Sequence, residues 1–369
     1  GGIDVSVELA SGVNGHPGLA HVFLRGRALA SKAGTLVDLM TEVVTKPNWN
    51  DRERLRRLAV ESLSRRRTSI ERAGHRFALQ RVGAQLSHEG AIQERLYGLA
   101  SLDGLAALVD RMDHDWPAVQ NELAEFHAAL VDRRLMTVHV GADDVADAAG
   151  LPELSRLAAA VPVGNAVADG WSPLALHARE GWELPGQVHY VAAGQALHDG
   201  HALPGAWLAA TRWLSSDLLI PTVRLQGGAY GAGATLDPVR GSIRAFSYRD
   251  PNLKATMEVF SSMPTRLREA ASGLTSAAFE TLVIGAAGSL NPYETPSARG
   301  YGWWLRRMRG TADQIERLNT ELLEAEPAAL TALADAMESS CDAFVVALGP
   351  GENLRSLPED QALTVRRPG

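Results

Sequence analysis

The sequence predicts an α+β fold of two similar domains in tandem, each an antiparallel sheet covered by helices. Three observations predict it. The 369 residues exceed what one ordinary core organises, and 46% hydrophobic with 21% charged residues is the make-up of a globular chain that buries sizeable cores. An order of strands, then helices, then a closing strand runs twice along the chain. The two closing strands, Leu135-Met-Thr-Val-His-Val140 and Ala343-Phe-Val-Val-Ala-Leu348, each run into a glycine turn, at Gly141 and at Gly349-Pro-Gly351.

In the first domain, residues 1–150, Val5-Ser-Val-Glu-Leu9 alternates at period two and His21-Val-Phe-Leu-Arg-Gly-Arg27 reads as a second strand. Leu36, Leu39, Met40 and Val43 recur at helical spacing until Lys46-Pro47 breaks the helix. Asn50 is the expected N-cap of the next helix, with Glu53 completing a capping box, and Leu55, Leu58, Ser62 and Leu63 lie along one side. Helical sequence continues to about residue 134. Residues 151–185 loosen into Pro, Gly, Ala and Trp around one short helix near 154–160, and are expected to be a linker.

The second domain, residues 186–369, repeats the order. Val188-His-Tyr-Val-Ala192 is a strand, residues 205–218 a helix, and residues 222–232 and 242–248 two strands joined by a Gly-rich turn. Helices are expected at about 251–271, 276–288, 297–309, 312–324 and 327–339 before the closing strand.

Composition excludes several classes. A net charge of −7 argues against a general nucleic-acid or anionic-membrane binder. No run approaches the roughly eighteen apolar residues of a membrane span, and no signal peptide opens the chain. A single cysteine, Cys341, rules out an internal disulfide framework and a cysteine-rich zinc site. The chain opens at Gly1-Gly2-Ile3 without an initiator Met, so it is expected to be a segment of something longer. The compartment stays open between cytoplasm, periplasm and organelle.

No motif for metal or nucleophilic catalysis is present. His88-Glu89 is followed by Gly-Ala-Ile, which supplies no second ligand for an H-E-x-x-H pattern. His177-Ala-Arg-Glu180 comes close to H-x-x-E-H, but Gly181 takes the place of the second histidine. Catalytic zinc needs about three protein ligands plus an open position. His198-Asp-Gly-His201 spaces two imidazoles without a third ligand nearby and reads as solvated loop. Gly227-Gly-Ala-Tyr-Gly-Ala-Gly233 lacks the lysine of a phosphate loop, and Leu236 stands where a dinucleotide fingerprint needs its third glycine. Ten arginines between Arg52 and Arg81 face four acids, Asp51, Glu53, Glu61 and Glu71. Their mixing with acids, without aromatics before Phe77, reads as a solvated helix face or a contact for an acidic surface.

One region carries chemistry: Val223-Arg-Leu-Gln-Gly-Gly-Ala-Tyr-Gly231, followed by Phe246-Ser-Tyr-Arg-Asp-Pro-Asn-Leu253. Arg224 and Tyr230 are an even number of residues apart, so on a regular strand they would project to one face. Gly227 and Gly228 between them permit a bulge or a close backbone approach. A guanidinium fork and a phenol on one face suit a peptide carbonyl or a developing oxyanion. Asp250-Pro251 reads as an N-cap followed by proline at the first helical position.

These two blocks resemble the C-terminal half of the presequence-protease and falcilysin branch of the insulinase (pitrilysin) family. The opening Gly1-Gly2-Ile3 with its alternating strand and the later Asn291-Pro-Tyr-Glu-Thr-Pro296 are similar to it as well. The resemblance covers essentially the whole chain, and residues 224–252 are its specific part. It implies an insulinase-type, mitochondrial processing peptidase-like fold. It also implies a partner: an N-terminal catalytic half, in the same polypeptide or a separate subunit, holding zinc on an inverted H-x-x-E-H motif. This chain would hold no metal or other cofactor. Arg224 and Tyr230 would contact peptide substrate beside that zinc, with Gly227, Gly228 and Ala229 lining the contact. The chain alone would not hydrolyse peptides. The alternative is a catalytically silent homologue serving as a binding or assembly subunit.

Overall fold

The structure, a computed structural model, describes residues 2–10, 19–142, 152–164, 176–197, 202–340 and 343–367. In chain order, β1 (Gly2–Ala10) and β2 (Leu19–Arg27) lead into α1 (Ala33–Thr45). There follow α2 (Arg52–Leu86), α3 (His88–Tyr97), α4 (Ala100–His114), α5 (Trp116–Leu130) and α6 (Pro152–Ala160). Strands β3 (Arg179–Glu183) and β4 (His189–Ala196) precede α7 (Trp207–Trp213), which continues as a π-helix over Leu214–Gln226. The hairpin of β5 (Gly231–Asp237) and β6 (Ser242–Asp250) leads to α8 (Leu253–Ala271), α9 (Ser276–Leu290), α10 (Pro296–Met308), α11 (Gln314–Leu323) and α12 (Ala328–Ser339). Last come β7 (Phe344–Gly349), α13 (Gly351–Arg355) and β8 (Thr364–Arg366).

The chain groups into two compact units, and neither is contiguous. One holds Gly1–Leu63, Leu105–Ser172 and Glu294–Gly310; the other holds Ser64–Gly104, Pro173–Tyr293 and Thr311–Gly369. This division cuts across the expected 1–150, 151–185 and 186–369 segments.

In the first unit β1 and β2 form an antiparallel pair from Gly2↔Arg27 to Ala10↔Leu19. α1 and α6 share a small core of Val37, Leu157 and Val161, so α6 is a packed element rather than part of a linker. A second cluster gathers Ala59, Met112 and Val119 with Leu55, Leu108 and Trp116 around them. The start of α2 is capped by Asp51, whose Oδ1 accepts from the Arg54 amide at 3.0 Å. The expected cap, Asn50, is one residue too early, and its side chain instead accepts from Gln120. Residues 136–140 follow a 3₁₀ turn at Arg133–Leu135 and pair with no strand, so the expected closing strand does not form. Met136 packs toward the Val37 core, whereas Leu135 and Val138 are exposed.

The second unit is built on a mixed sheet ordered β5-β6-β4-β7-β3-β8. Its β5-β6, β6-β4 and β4-β7 pairs are antiparallel as expected, but β3 runs parallel to both β7 and β8. β3 lies inside the stretch expected to be linker; its period-two signal is masked because Gly181, Trp182 and the acidic Glu180 are all buried. The main core packs Leu203, Leu214, Leu219, Leu267, Leu330 and Leu333 against the sheet. β4 is buried along nearly its whole length, which its small residues Ala192, Ala193 and Gly194 accommodate.

The five late helices lie within a few residues of their expected places. The expected strand at residues 222–232 is the main departure in this unit. Residues 222–226 belong to the π-helix, and the strand begins only at Gly231. Pro221 inside that helix has no N–H to donate, and a widened turn accommodates such a gap in the bonding ladder.

Candidate functional site

The π-helix ends in a turn whose amide groups are all committed. Gly227 donates to the Thr222 carbonyl (2.9 Å), Gly228 to that of Arg224 (3.0 Å) and Ala229 to that of Val223 (3.1 Å). A side chain at 227 would put its Cβ 2.7 Å from the Val223 oxygen, and Gly228 has φ of 79°, so two adjacent glycines are required for different reasons. Ala229 is buried in the main core. Gly227, Gly228 and Ala229 therefore shape the turn without presenting free amides. Arg224 on the last turn of the helix and Tyr230 just before β5 are both exposed, Tyr230 over 71% of its surface. They do not share a strand face, as the even spacing predicted; they stand on either side of the turn.

Tyr230 is nonetheless held. Its amide donates to the Tyr248 carbonyl (2.9 Å), and its ring meets the Tyr248 ring edge-on at 5.5 Å and 88°. Such a pair contributes about 1 kcal/mol beyond burial. Tyr248 in turn stacks on Tyr190 (5.8 Å, 29°), touches the His75 ring at 4.6 Å, and lies under the Arg249 guanidinium. Tyr190 rests against Gly74, where a methyl group would collide with its ring, and its hydroxyl donates to the Glu71 carbonyl at 2.6 Å. Both contacts flank Ala73, where α2 leaves helical geometry. Burial, with Arg76 beside it, pushes the His75 imidazole below its ordinary value.

The β6 end is bulged. His189 pairs with Asp250 and Val191 with Ser247, so Tyr248 and Arg249 together face Tyr190, and Arg249 adopts φ of 50°. Asp250 was expected to cap the next helix directly. It is instead the buried last strand residue: Oδ1 accepts from the Asn252 amide (2.8 Å) and Oδ2 from the Thr256 hydroxyl (2.5 Å). Pro251 stands two residues before α8 rather than at its first position. Asn252 is the cap residue, yet its side chain makes no cap bond and donates to the Gly227 carbonyl (2.5 Å). His75 and Tyr190 gave no signal of a site role in the sequence; Tyr248 and Asn252 stood out only as members of the residue 246–253 block, with no role of their own.

The other motifs are consumed structurally. His88-Glu89 opens α3 behind a Ser87 cap. Glu180 is buried on Arg81, which donates Nε to Oε2 (2.7 Å) and Nη2 to Oε1 (3.0 Å), while exposed His177 meets Arg366. The pair His198 and His201 lies outside the described residues. Among the described residues no group of three or more His, Cys, Asp or Glu could hold a metal ion. The arginine-rich face of α2 is partly spent within its own units: Arg56 forks onto Asp113, and Arg52 donates to the Met112 carbonyl. No helix among the described residues is long and apolar enough to cross a membrane.

Arg81 serves a second buried carboxylate, Glu94, at 3.3 Å. Burial raises Glu94 to about 7, against the pull of Arg81 and the Ala100 amide, and its Oε2 has no partner. Burial would raise Glu180 too, but Arg81, the His177 amide and the Trp182 indole outweigh it and hold Glu180 below the usual carboxylate value.

Residues 179–349 match the family described as PreP C-terminal domain, and residues 1–108 match the associated region of M16 peptidases of subfamily C. The chain is 30% identical over 334 residues to presequence protease 1, chloroplastic/mitochondrial, of Arabidopsis thaliana; this covers 87% of the chain but 30% of that relative's length. The fold is similar to that of the inactive domain of an M16 peptidase from Pseudomonas fluorescens (TM-score 0.51, 17% identity, 94% of this chain and 81% of that one). It is also similar to pitrilysin (TM-score 0.63, 12% identity, all of this chain and 38% of that one). The chain belongs to the insulinase (M16) peptidase family, in which it corresponds to the C-terminal half of the presequence-protease branch.

Proposed function

We propose that this chain is the non-catalytic, substrate-clamping half of a zinc endopeptidase that degrades short or unfolded peptides. One observation supports the reading: Arg224 and Tyr230, both exposed, stand on either side of a turn whose amides are all bonded. An N-terminal half, fused or separate, would bring the zinc and its water. Arg224 would hold a substrate carbonyl through its donor fork, and the Tyr230 hydroxyl would donate to the oxyanion as charge develops there. The turn at Gly227, Gly228 and Ala229 would let the substrate backbone pass close by without competing for its hydrogen bonds.

The test is complementation. Mixed with the zinc-bearing half of its own enzyme, the chain should restore peptide cleavage, and Arg224→Ala or Tyr230→Phe should lower kcat by about ten- to a thousand-fold. The second reading, a silent binding or assembly subunit, draws on the similarity to a domain described as inactive. It requires that both substitutions leave cleavage unchanged.

A further inference from the structure

We infer that Tyr248 and Asn252 are positioning residues for the Arg224–Tyr230 turn: Tyr248 seats the Tyr230 ring, and Asn252 tethers the turn through the Gly227 carbonyl. The inference rests on the proposed role of Arg224 and Tyr230 but has a structural content of its own.

An exposed tyrosine ordinarily samples several rotamers, and a hydroxyl that serves a reaction cannot. What restricts Tyr230 is the edge-on contact with Tyr248 and the amide bond to the Tyr248 carbonyl. Tyr248 is fixed in turn by His75, just past the break in α2, and by Tyr190 of β4, which packs against that break. The bulge at Arg249 is what lets two residues of β6 stand opposite Tyr190.

Asn252 shows the same priority from the other side of the turn. Asparagine is among the best N-caps, and here the N-cap residue leaves the helix amides uncapped by its side chain. It reaches back to Gly227 instead. With the Gly227, Gly228 and Ala229 amides bonded to the π-helix and the Gly227 carbonyl bonded to Asn252, the turn is fixed from both flanks. The Tyr-Arg-Asp-Pro-Asn sequence, residues 248–252, is thereby given a role that strand ending and helix capping do not supply.

Two substitutions separate positioning from plain stability. Asn252→Ser supplies a good cap that is too short to reach Gly227, and Tyr248→Phe keeps the ring. With 3-fluorotyrosine placed at position 230 of the chain, ¹⁹F NMR should show one narrow line displaced by the Tyr248 ring. Tyr248→Phe should keep it. Tyr248→Leu should move it to the position of free fluorotyrosine, and Asn252→Ser should broaden it while leaving Tm unchanged or higher. In the complemented enzyme, Asn252→Ser and Tyr248→Leu should each lower kcat by about ten- to a hundredfold with KM little changed, and Tyr248→Phe should stay near wild type. An unchanged Tyr230 line in Asn252→Ser and in a folded Tyr248→Leu would overturn the inference, and if Tyr248→Leu does not fold, Asn252→Ser decides alone. Should the line respond while Arg224→Ala and Tyr230→Phe leave cleavage unaltered, the positioning stands and the proposed function fails.

Discussion

At positions 227 and 228 neighbouring glycines answer to different constraints, one to the oxygen of Val223 and one to a left-handed backbone. Gly228→Ala should cost about 1–2 kcal/mol through that backbone alone. Gly228→Asn should cost less, because asparagine tolerates the region, and thermal unfolding of the two variants measures the gap. Glu94 makes a separate, pH-dependent case. Its value of about 7 in the fold, against an ordinary 4.5, means the folded chain keeps a proton the unfolded chain releases. Its contribution is complete below pH 4.5, declines as pH rises toward 7, and is constant above. Glu180 has the opposite sign: lowered in the fold, it stabilises above the usual carboxylate value and loses that as pH falls. The charged groups around Glu94 are Arg66 and Arg81 of α2 and Glu180 of β3. Histidines lowered in the fold, such as His75, contribute with the opposite sign in the same window, so the Glu94 part is read as a difference: in denaturant titrations the chain should lose stability relative to Glu94→Gln as pH rises from 4.5 toward 7. A difference that stays constant with pH would assign the titration to another group.

Among the elements, α2 is capped by Asp51 and not by Asn50, so Asp51→Ala should cost about 1 kcal/mol and Asn50→Ala less, read from denaturation midpoints. The distinction shows where the sequence was legible and where it was not. Helical periodicity placed α8, α9, α11 and α12 within a few residues, because Leu267, Leu282, Leu318, Leu322, Leu330 and Leu333 mark buried faces. Alternation placed β1 and β6, and short apolar runs placed β4 and β7, which are buried on both faces. Neither signal marks β3, whose buried centre holds Glu180 and Gly181 beside Trp182, the buried carboxylate being paired by an arginine distant in sequence. Alternation failed at residues 222–226, where Val223 and Leu225 alternate in sequence but belong to a helix widened around Pro221. At the candidate site, Arg224 and Tyr230 were readable from their glycine block. Their support was not, since His75 and Tyr190 come from elements far away in sequence and meet Tyr248 only in the fold.

For the molecule as a whole, the chain spans under a third of the length of a relative of the presequence-protease branch, and residues 179–349 match that branch's C-terminal domain family. What the chain keeps is a turn fixed on both flanks with two donor side chains beside it. The most direct measurement is peptide cleavage by this chain mixed with the proposed zinc-bearing half, run with Arg224→Ala and Tyr230→Phe alongside. The expected result is no cleavage by the chain alone, cleavage by the mixture, and a loss of about ten- to a thousand-fold in kcat for each variant. Cleavage unchanged by both substitutions, or cleavage by the chain alone, would contradict the assignment.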